Sequence, residues 1–370
     1  MAREITSLQQ FMSGNHDLRG AVVQDIDFRA VEVNWATLDV TGATFLGCDL
    51  SIEDEVKLRR QGAYLYIHPE NIPYNPYRQR LYTWRELMEG YSAEADRSLD
   101  LRIYRHFSET RTEPPINEAL LQRIHDHSID RGIRNLLQFD RHGMTTRKCV
   151  GIMGGHSTRR DDEFYRRTAL TAQRLTKAGF LVVSGGGPGT MEAANLGAYF
   201  GERTEAELLR AIREMSASPH YADEGFHQRA FEQLERFPDG AESLAIPTWF
   251  YGHEPSNLFA SHIAKYFSNS IREDTLLAVC LYGIVYAPGS AGTTQEIFQE
   301  AAQNHYGTFG YYSPMVFLSE RRYAIETSIY PLLRQLSYGR AYHDFLHLTD
   351  DPAEVVDFIR QHPPLRARND

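Results

Sequence analysis

Residues 285–301 combine groups that bind an anion with a negatively charged side chain, Glu296, a few residues further along the chain. Residues 284–287 are apolar and typical of a buried strand, residues 288–292 break that strand, and Thr293 begins a helix. Backbone N–H groups and hydroxyls at such a turn close around an anion at the positive end of the helix, so the turn suits a phosphate. Glu296 would repel that phosphate, and it therefore either caps the helix or acts on another part of the ligand, such as a ribose.

Two further glycine-rich turns also come directly after an apolar strand. Residues 184–190 follow an apolar strand at 180–183, and residues 154–157 follow one at 149–153. Right-handed crossovers place all three turns at the carboxyl edge of one parallel sheet, where open α/β folds bind ligands. The turns therefore predict a single ligand site.

The elements that position these turns alternate between strand and helix. The pattern predicts helices at 161–178, from about 258 through Arg272, at 323–336 and from 352, and strands at 243–249, 315–319 and 345–348. The predicted fold class is α/β, a Rossmann-like parallel sheet flanked by helices, preceded by an irregular, pentapeptide-like domain. We expect an accessory domain over residues 1–144 and the nucleotide-binding domain over residues 145–370.

Large apolar residues recur every five positions between residues 16 and 50. They are Leu18, Val23, Phe28, Val33 and Leu38 and, after a slip of two, Phe45 and Leu50. The segment resembles the pentapeptide-repeat family, in which each unit forms one side of a square β-solenoid. An alternating β-meander is an equally good interpretation, because so few units arise easily by chance.

Tyrosine, proline and arginine dominate residues 64–91, and a helical pattern covers residues 116–137. The tyrosines form either a stacking platform for a nucleobase or the cover of an interface, which is the commoner arrangement.

Composition excludes several classes of function. The net charge is −10 with no long basic block, which argues against a nucleic-acid-binding protein. Cys48, Cys149 and Cys280 are too scattered for a disulfide framework or a CxxC metal site. No apolar run approaches the length of a membrane span. We expect a cytoplasmic protein with no metal and no membrane association.

The two larger glycine turns resemble the motifs of the LOG family of nucleoside 5′-monophosphate phosphoribohydrolases, proteins with a "lysine decarboxylase-like" Rossmann fold. The motif GGGxxG reads here as Gly185-Gly186-Gly187-Pro188-Gly189-Thr190, and PGGxGTxxE reads as Pro288-Gly289-Ser290-Ala291-Gly292-Thr293-Thr294-Gln295-Glu296. The resemblance covers residues 149–319. Residues 254–257 also resemble the larger bacterial purine and pyrimidine nucleotide nucleosidases of this superfamily.

The resemblance implies roles for individual residues. Gly289, Gly292, Thr293 and Thr294 would hold the 5′-phosphate, and Glu296 would be the catalytic glutamate. The family's second catalytic residue would be Arg272, sixteen residues before Pro288. Arg272 is also interpretable as a helix-terminal arginine paired with Glu273 or Asp274. Ser290 replaces a motif glycine, which would weaken binding or abolish turnover if the position required a positive φ or a very close approach of the phosphate.

Further binding candidates lie in the other turns. They are Gly154, Gly155, Ser157, Gly186, Gly187, Gly189, Thr190, Glu192 and Asn257. Glu192 either contacts the ribose or base or caps its own helix, and the two interpretations carry equal weight. Asn257 suits a base edge, whereas Glu254 is interpreted as a surface loop residue.

The expected activity is hydrolysis of a purine nucleoside 5′-monophosphate, AMP or an N6-modified relative, to free base and ribose 5-phosphate. No cofactor is implied, and we expect a homo-oligomer, a dimer or higher. The alternative is a non-catalytic protein that binds a nucleotide or a phospho-cofactor. A dinucleotide-dependent dehydrogenase is disfavoured because the first turn reads GIMGGHS rather than GxGxxG.

Overall fold

The computed structural model of this protein describes residues 3–14, 17–69, 71–92, 95–140 and 142–367. Its contacts divide the chain into two units. Met1–Arg80 and Thr112–Gly132 form the first, and Leu81–Arg111 and Ile133–Asp370 form the second. His16, the first residue of the predicted repeat, lies outside the described residues. The domain boundary predicted between residues 144 and 145 stays a prediction.

Helices and strands alternate through most of the chain. The α-helices are α1 Leu8–Met12, α2 Ile52–Arg60, α3 Trp84–Leu87, α4 Leu99–Thr110, α5 Ile116–Leu137, α6 Glu163–Lys177, α7 Thr190–Tyr199, α8 Glu205–Met215, α9 Phe226–Arg236, α10 Asn269–Ala278, α11 Ala291–Tyr306, α12 Ile329–Leu336 and α13 Pro352–Gln361. The strands are β1 Glu4–Ile5, β2 Val22–Gln24, β3 Thr44–Leu46, β4 Tyr64–Tyr66, β5 Cys149–Met153, β6 Leu181–Ser184, β7 Ser243–Ala245, β8 His262–Ile263, β9 Ile284–Tyr286, β10 Tyr311–Tyr312, β11 Met315–Leu318, β12 Leu346–Thr349 and β13 Leu365–Arg366. Short 3-10 helices occupy Trp35–Thr37 and Ala341–Phe345, and a π-helix occupies Arg321–Glu326.

The first unit contains a parallel sheet in the order β1-β2-β3-β4. Val22 pairs with Thr44, and Thr44 pairs with Tyr64, so each coil of chain returns to the same position one strand further on. Several residues of the five-residue repeat, including Leu18, Val23 and Phe28, are buried in its core. Parallel pairing of successive strands is the arrangement of a solenoid, whereas a meander pairs them antiparallel.

The second unit is built on a seven-stranded sheet in the order β12-β11-β9-β5-β6-β7-β8. Every pairing within it is parallel. The central strands are apolar on both faces, as in the successive residues Ile152 and Met153 of β5, because helices cover both sides of such a sheet. Helices α6, α7 and α13 supply apolar residues to this core. The predicted α/β, Rossmann-like fold is confirmed.

Two predicted helices differ from the observed structure. Residues 258–267 do not form a helix; they contain the short strand β8, and α10 begins only at Asn269. The apolar residues of this segment are buried on all sides, and Ile263 exchanges backbone hydrogen bonds with Tyr82, which an edge strand allows. The predicted helix at 323–336 is interrupted at Ser328, whose φ is +51°.

The tyrosines of residues 64–91 are divided between the two units. Tyr77 is buried in the first, where its hydroxyl donates to the carbonyl of Ile67 over 2.8 Å. Tyr82 is buried in the second, where it pairs with β8. Among the residues that the structure describes, no helix is long and apolar enough to cross a membrane.

Helices α6 and α7 pack closely at Gly197. A Cβ at this position would overlap the carbonyl oxygen of Ala169 on α6. The absent side chain therefore lets the two backbones approach, and α7 carries the glycine turn after β6 into the site.

We expect Gly197→Ala to destabilise the protein by about 1–3 kcal/mol, because the added methyl group forces α6 and α7 apart. Urea unfolding followed by circular dichroism measures the change. Gly292→Ala in α11 is the control, since a Cβ there meets no atom within 4 Å. Equal stability of Gly197→Ala and wild type would contradict this view of the packing.

Glu300 on α11 is a buried acid with incomplete hydrogen bonding. Its Oε1 accepts from the hydroxyl of Ser313 over 2.6 Å and from Asn304 Nδ2 over 3.3 Å, whereas its Oε2 has no hydrogen-bond partner. Burial raises the pKa of Glu300 to about 8. The neutral acid is therefore the form that the folded core favours.

The unfolded chain releases the proton of Glu300 near pH 4.5, but the folded chain holds it until about pH 8. The contribution of Glu300 to the free energy of unfolding is therefore fully present below pH 4.5. It is lost as the pH rises through 8, and the loss amounts to at most roughly 5 kcal/mol. We expect Glu300→Gln to remove this loss, because glutamine keeps the acceptor oxygen and has no proton to release. Urea unfolding between pH 5 and 9 tests this, with the exposed Glu202→Gln as control. Parallel stability curves for Glu300→Gln and wild type would contradict it.

Candidate functional site

The strand order of the large sheet reverses between β5 and β9. From β5 the chain adds β6, β7 and β8 on one side and β9, β11 and β12 on the other. In an open α/β sheet, this reversal leaves a crevice at the carboxyl ends of the strands. A cleft of about 670 Å³, its open mouth included, lies there. It is lined by Gly154, Gly155, His156, Gly185, Met191, Pro247, Thr248, Tyr251, Gly252, Glu254, Arg272, Ser290, Gly292, Thr293 and Glu296.

The turn after β9 leads into α11 without a side-chain cap. Ser290 is the N-cap residue, and its hydroxyl makes no capping hydrogen bond. The first N–H groups of an α-helix have no partner within the helix, so those of α11 are available to a ligand at its positive end. Because Gly292 has no side chain, the space beside this helix end is open.

Ser290 occupies its position without backbone strain. Its φ is −111°, which any L-residue adopts, so the backbone conformation at this position does not require glycine. Gly289 is the residue that must remain glycine, because a Cβ there would overlap Oγ1 of Thr293.

An arginine that the sequence did not single out supports this turn. Arg322, in the π-helix after β11, donates from Nη2 to the carbonyl of Gly289 over 2.7 Å. Its Nη1 also lies 3.6 Å from Glu326. Arg322 fixes the turn from behind and adds a positive charge beside it.

Glu296 lies on the same side of α11 as Gly292 and Thr293, because it follows them by four and three residues. All three line the cleft. The helix therefore presents its N-terminus and the carboxylate of Glu296 to the same ligand.

Arg272 on α10 reaches Glu296 from the opposite side. Its Nε donates to the carbonyl of Ile246 over 2.7 Å, and its Nη2 donates to that of Gly185 over 3.2 Å. Its Nη1 lies 3.5 Å from Oε1 of Glu296. A Cβ at Gly185 would lie 2.6 Å from Nη2, so this glycine makes room for the guanidinium.

Glu296 is poised between its two protonation states. Burial raises its pKa, the charge of Arg272 lowers it, and the charge of Glu273 raises it, to about 7 in total. Glu273 is held in place by Tyr251, Asn269 and Gln295, which donate over 3.2, 2.8 and 2.6 Å. The carboxylate of Glu273 thus raises the pKa of Glu296.

Glu192 lies outside the cleft lining. Its carboxylate forms a buried ion pair with Arg160, with Oε1 2.5 Å from Nη2, and accepts from the hydroxyl of Tyr165 over 2.8 Å. The guanidinium of Arg160 stacks over the ring of Phe226 at 3.5 Å. In this arrangement Glu192 ties α7 to α6 and α9, and its predicted contact with the ligand stays a prediction.

Other predicted residues support the turns from outside the lining. Thr190 donates its N–H to the carbonyl of Gly155 over 3.0 Å, and Gly155 donates to that of Pro288 over 3.0 Å, so the three turns are linked through their backbones. Asn257 donates to Asn195 Oδ1 over 2.9 Å. The remaining predicted residues that do not line the cleft are Ser157, Gly186, Gly187, Gly189, Gly289 and Thr294.

The segment after β7 supplies a wall that the sequence did not reveal. Pro247, Thr248, Tyr251, Gly252 and Glu254 line the cleft. Glu254 therefore faces the site, although the sequence suggested a surface loop. Glu254 lies after β7, which is the neighbour of β6 in the sheet. This position would have predicted a place in the cleft, but the sequence does not show which strands are neighbours.

Asp100 on α4 anchors this wall on both sides of Glu254. Trp249 Nε1 donates to Oδ1 over 2.7 Å, Ser256 donates to Oδ2 over 2.8 Å, and Lys265 Nζ lies 2.7 Å from Oδ1. Burial acts to raise the pKa of Asp100, but Lys265 and the other donors outweigh it and hold the pKa below its usual value. The wall is therefore fixed by a buried, ionised carboxylate.

Within the described ranges, no group of three or more His, Cys, Asp or Glu residues is arranged to hold a metal ion. The polar groups that line the cleft, as far as the structure describes it, are two carboxylates, one guanidinium, the imidazole of His156, hydroxyl groups and a helix N-terminus.

Comparisons with known proteins give a distant likeness in fold. Neither the models of protein families nor the curated protein sequences contain a match to this chain. Among solved structures, it is similar to the molybdenum cofactor carrier protein of Chlamydomonas reinhardtii, at 12% identity and a TM-score of 0.37 over 58% of this chain and 97% of that one. It is also similar to the molybdenum cofactor binding protein of Rippkaea orientalis, at 12% identity and a TM-score of 0.38 over 58% and 96% of the two chains. Values this low identify no family for the chain.

Proposed function

We propose that this protein hydrolyses the N-glycosidic bond of a purine nucleoside 5′-monophosphate and releases the free base and ribose 5-phosphate. The observation that carries the proposal is the approach of Arg272 to Glu296, one helical turn beyond the uncapped N-terminus of α11. The resemblance of the two glycine turns to the motifs of the LOG family supports the same reaction.

The phosphate end of the substrate would lie at the start of α11. The N–H groups there, the hydroxyls of Ser290 and Thr293, and the open space at Gly292 suit a phosphate ester. Binding energy from this remote group holds the sugar in position for reaction.

The ribose would then lie against Glu296. Cleavage of the glycosidic bond builds positive charge on C1′ and the ring oxygen, and a carboxylate stabilises that charge. The ionised Glu296 orients a water molecule and accepts its proton as the new C1′–O bond forms. The C1′–N bond breaks, its electron pair leaves with the base, and the base takes a proton from solvent.

Arg272 has two roles in this scheme. Its charge keeps part of the Glu296 population ionised near neutral pH, and its two backbone contacts fix the direction from which it reaches the carboxylate. The negative φ of Ser290 and the reach of Arg272 to Glu296 support catalysis over the alternative, a protein that only binds a nucleotide or a phospho-cofactor.

Incubation with AMP, GMP, IMP, CMP and an N6-modified AMP, followed by chromatography of the free base, tests the activity. We expect base release from at least one purine nucleotide. Glu296→Gln should lower kcat by at least about 100-fold while nucleotide binding persists, because glutamine cannot accept the proton of water. Binding without base release by wild type would establish a binding protein instead, and full activity of Glu296→Gln would remove Glu296 from the mechanism.

The pH dependence gives a second test. The active form carries an ionised Glu296, so kcat/KM of wild type should rise with pH through about 7. Glu273→Gln removes a negative charge that raises the pKa of Glu296, and it should move this rise to lower pH by about half a unit or more. Asp274→Asn is the control, because it removes the neighbouring charge from the exposed side of α10. A rise at the same pH in Glu273→Gln and Asp274→Asn would contradict the assigned tuning.

A further inference from the structure

The strand order arranges the turns of the cleft in a line. The turn after β9 comes first, followed by those after β5 and β6 and then the wall after β7. Three strand spacings separate the ends of this line, roughly 14 Å. With the phosphate at the first turn and the ribose at Glu296, an extended nucleotide brings its base to the wall that carries Glu254 and Tyr251.

Glu254 has the position of a ligand-binding group. It lines the cleft, and its carboxylate makes no hydrogen bond or ion pair with any other residue that the structure describes. Its Oε2 lies against the glycine turn after β6, where a Cβ at Gly187 would come within 2.5 Å. The glycine therefore makes room for the carboxylate beside the predicted position of the base.

The loop that carries Glu254 is anchored before the ligand arrives. Asp100 holds Trp249 on one side of it and Ser256 on the other. Tyr251, in the same loop, is fixed through its hydroxyl, which donates to Glu273 and accepts from Asn269 over 2.8 Å. The ring of Tyr251 is thus available as a stacking surface at the mouth of the cleft.

A carboxylate accepts hydrogen bonds and donates none. Guanine presents two adjacent donors, N1–H and the N2 amino group, which match the two oxygens of a carboxylate. Adenine and cytosine each present one amino group beside a ring nitrogen lone pair, which a carboxylate repels. Hypoxanthine presents the N1–H donor alone.

We propose that Glu254 binds the Watson–Crick edge of guanine and makes GMP the preferred substrate of this cleft, in place of the AMP that the family resemblance suggests. The inference rests on the proposed function, because it takes the nucleotide's direction from the phosphate turn and Glu296. A carboxylate at the far end of the cleft also disfavours any ligand with a second anionic group there.

Calorimetric titration of the Glu296→Gln variant, which is expected to bind nucleotides without cleaving them, with GMP, IMP, AMP and ribose 5-phosphate tests the inference. We expect GMP to bind about 10- to 100-fold more tightly than AMP, with IMP between them. Equal affinities for GMP and AMP would overturn the assignment of Glu254 and leave the proposed function intact. If no nucleotide and no ribose 5-phosphate bound, both proposals would fail.

Glu254→Gln supplies a matched variant. Glutamine offers one acceptor and one donor, so GMP loses one hydrogen bond while AMP gains one. We expect the ratio of GMP to AMP affinity to fall at least about tenfold. If Glu254 acted only through its negative charge, its loss would raise the affinities for GMP, AMP and ribose 5-phosphate by one common factor. An unchanged ratio of GMP to AMP affinity would therefore overturn the proposal that Glu254 recognises the base.

Discussion

The guanidinium of Arg272 is the contact on which the cleft depends. It joins the carbonyl of Gly185 after β6, the carbonyl of Ile246 after β7, and the carboxylate of Glu296 on α11. Three segments that are distant in sequence thus meet at one rigid, planar group, whose donors have fixed directions. Because the arginine is only 7% exposed, loss of any partner would leave a buried charge poorly solvated.

The same contact sets the electrostatics of the site. Burial disfavours the ionised form of Glu296, Arg272 favours it, and Glu273 opposes it, which leaves the pKa near neutral pH. Catalytic carboxylates gain from such a balance, since the group must accept a proton at working pH without being permanently protonated. One turn further along α11, Glu300 has the burial but no cation, and burial raises its pKa to about 8. Arg272 thus lowers the pKa of Glu296, whereas for Glu300 only the hydroxyl of Ser313 opposes the effect of burial.

A second buried ion pair has a different task. Asp100 and Lys265 are both almost fully buried, and the hydrogen bonds of Asp100 hold the loop on either side of Glu254. Preorganisation of this kind reduces the entropy that a loop loses when a ligand binds. Glu254, a partly exposed loop residue, can therefore discriminate between ligands, because its backbone is already in position before a ligand binds.

The sequence by itself determined the local units of the site. The apolar runs predict β5, β6 and β9, the glycines predict the turns after them, and Thr293 predicts the start of the helix that carries Glu296. These features depend on residues close together in the chain, where periodicity and backbone chemistry act directly. The prediction of a helix from residue 258 was wrong, because the apolar residues of 258–267 are buried on all sides and therefore do not indicate a helical period.

Only the tertiary structure decided which side chains meet. The strand order puts the segment after β7 next to the glycine turn after β6, and so brings Glu254 and Tyr251 to the cleft. It places Glu192 in a buried pair with Arg160, away from the cleft lining, whereas the sequence left a ligand contact and a cap of its own helix equally open. It also brings Arg322 behind the turn at Gly289 and Asp100 beneath the wall. Such meetings depend on which helix face packs inward and which strands are neighbours, and these are properties of the whole fold rather than of any one stretch of residues.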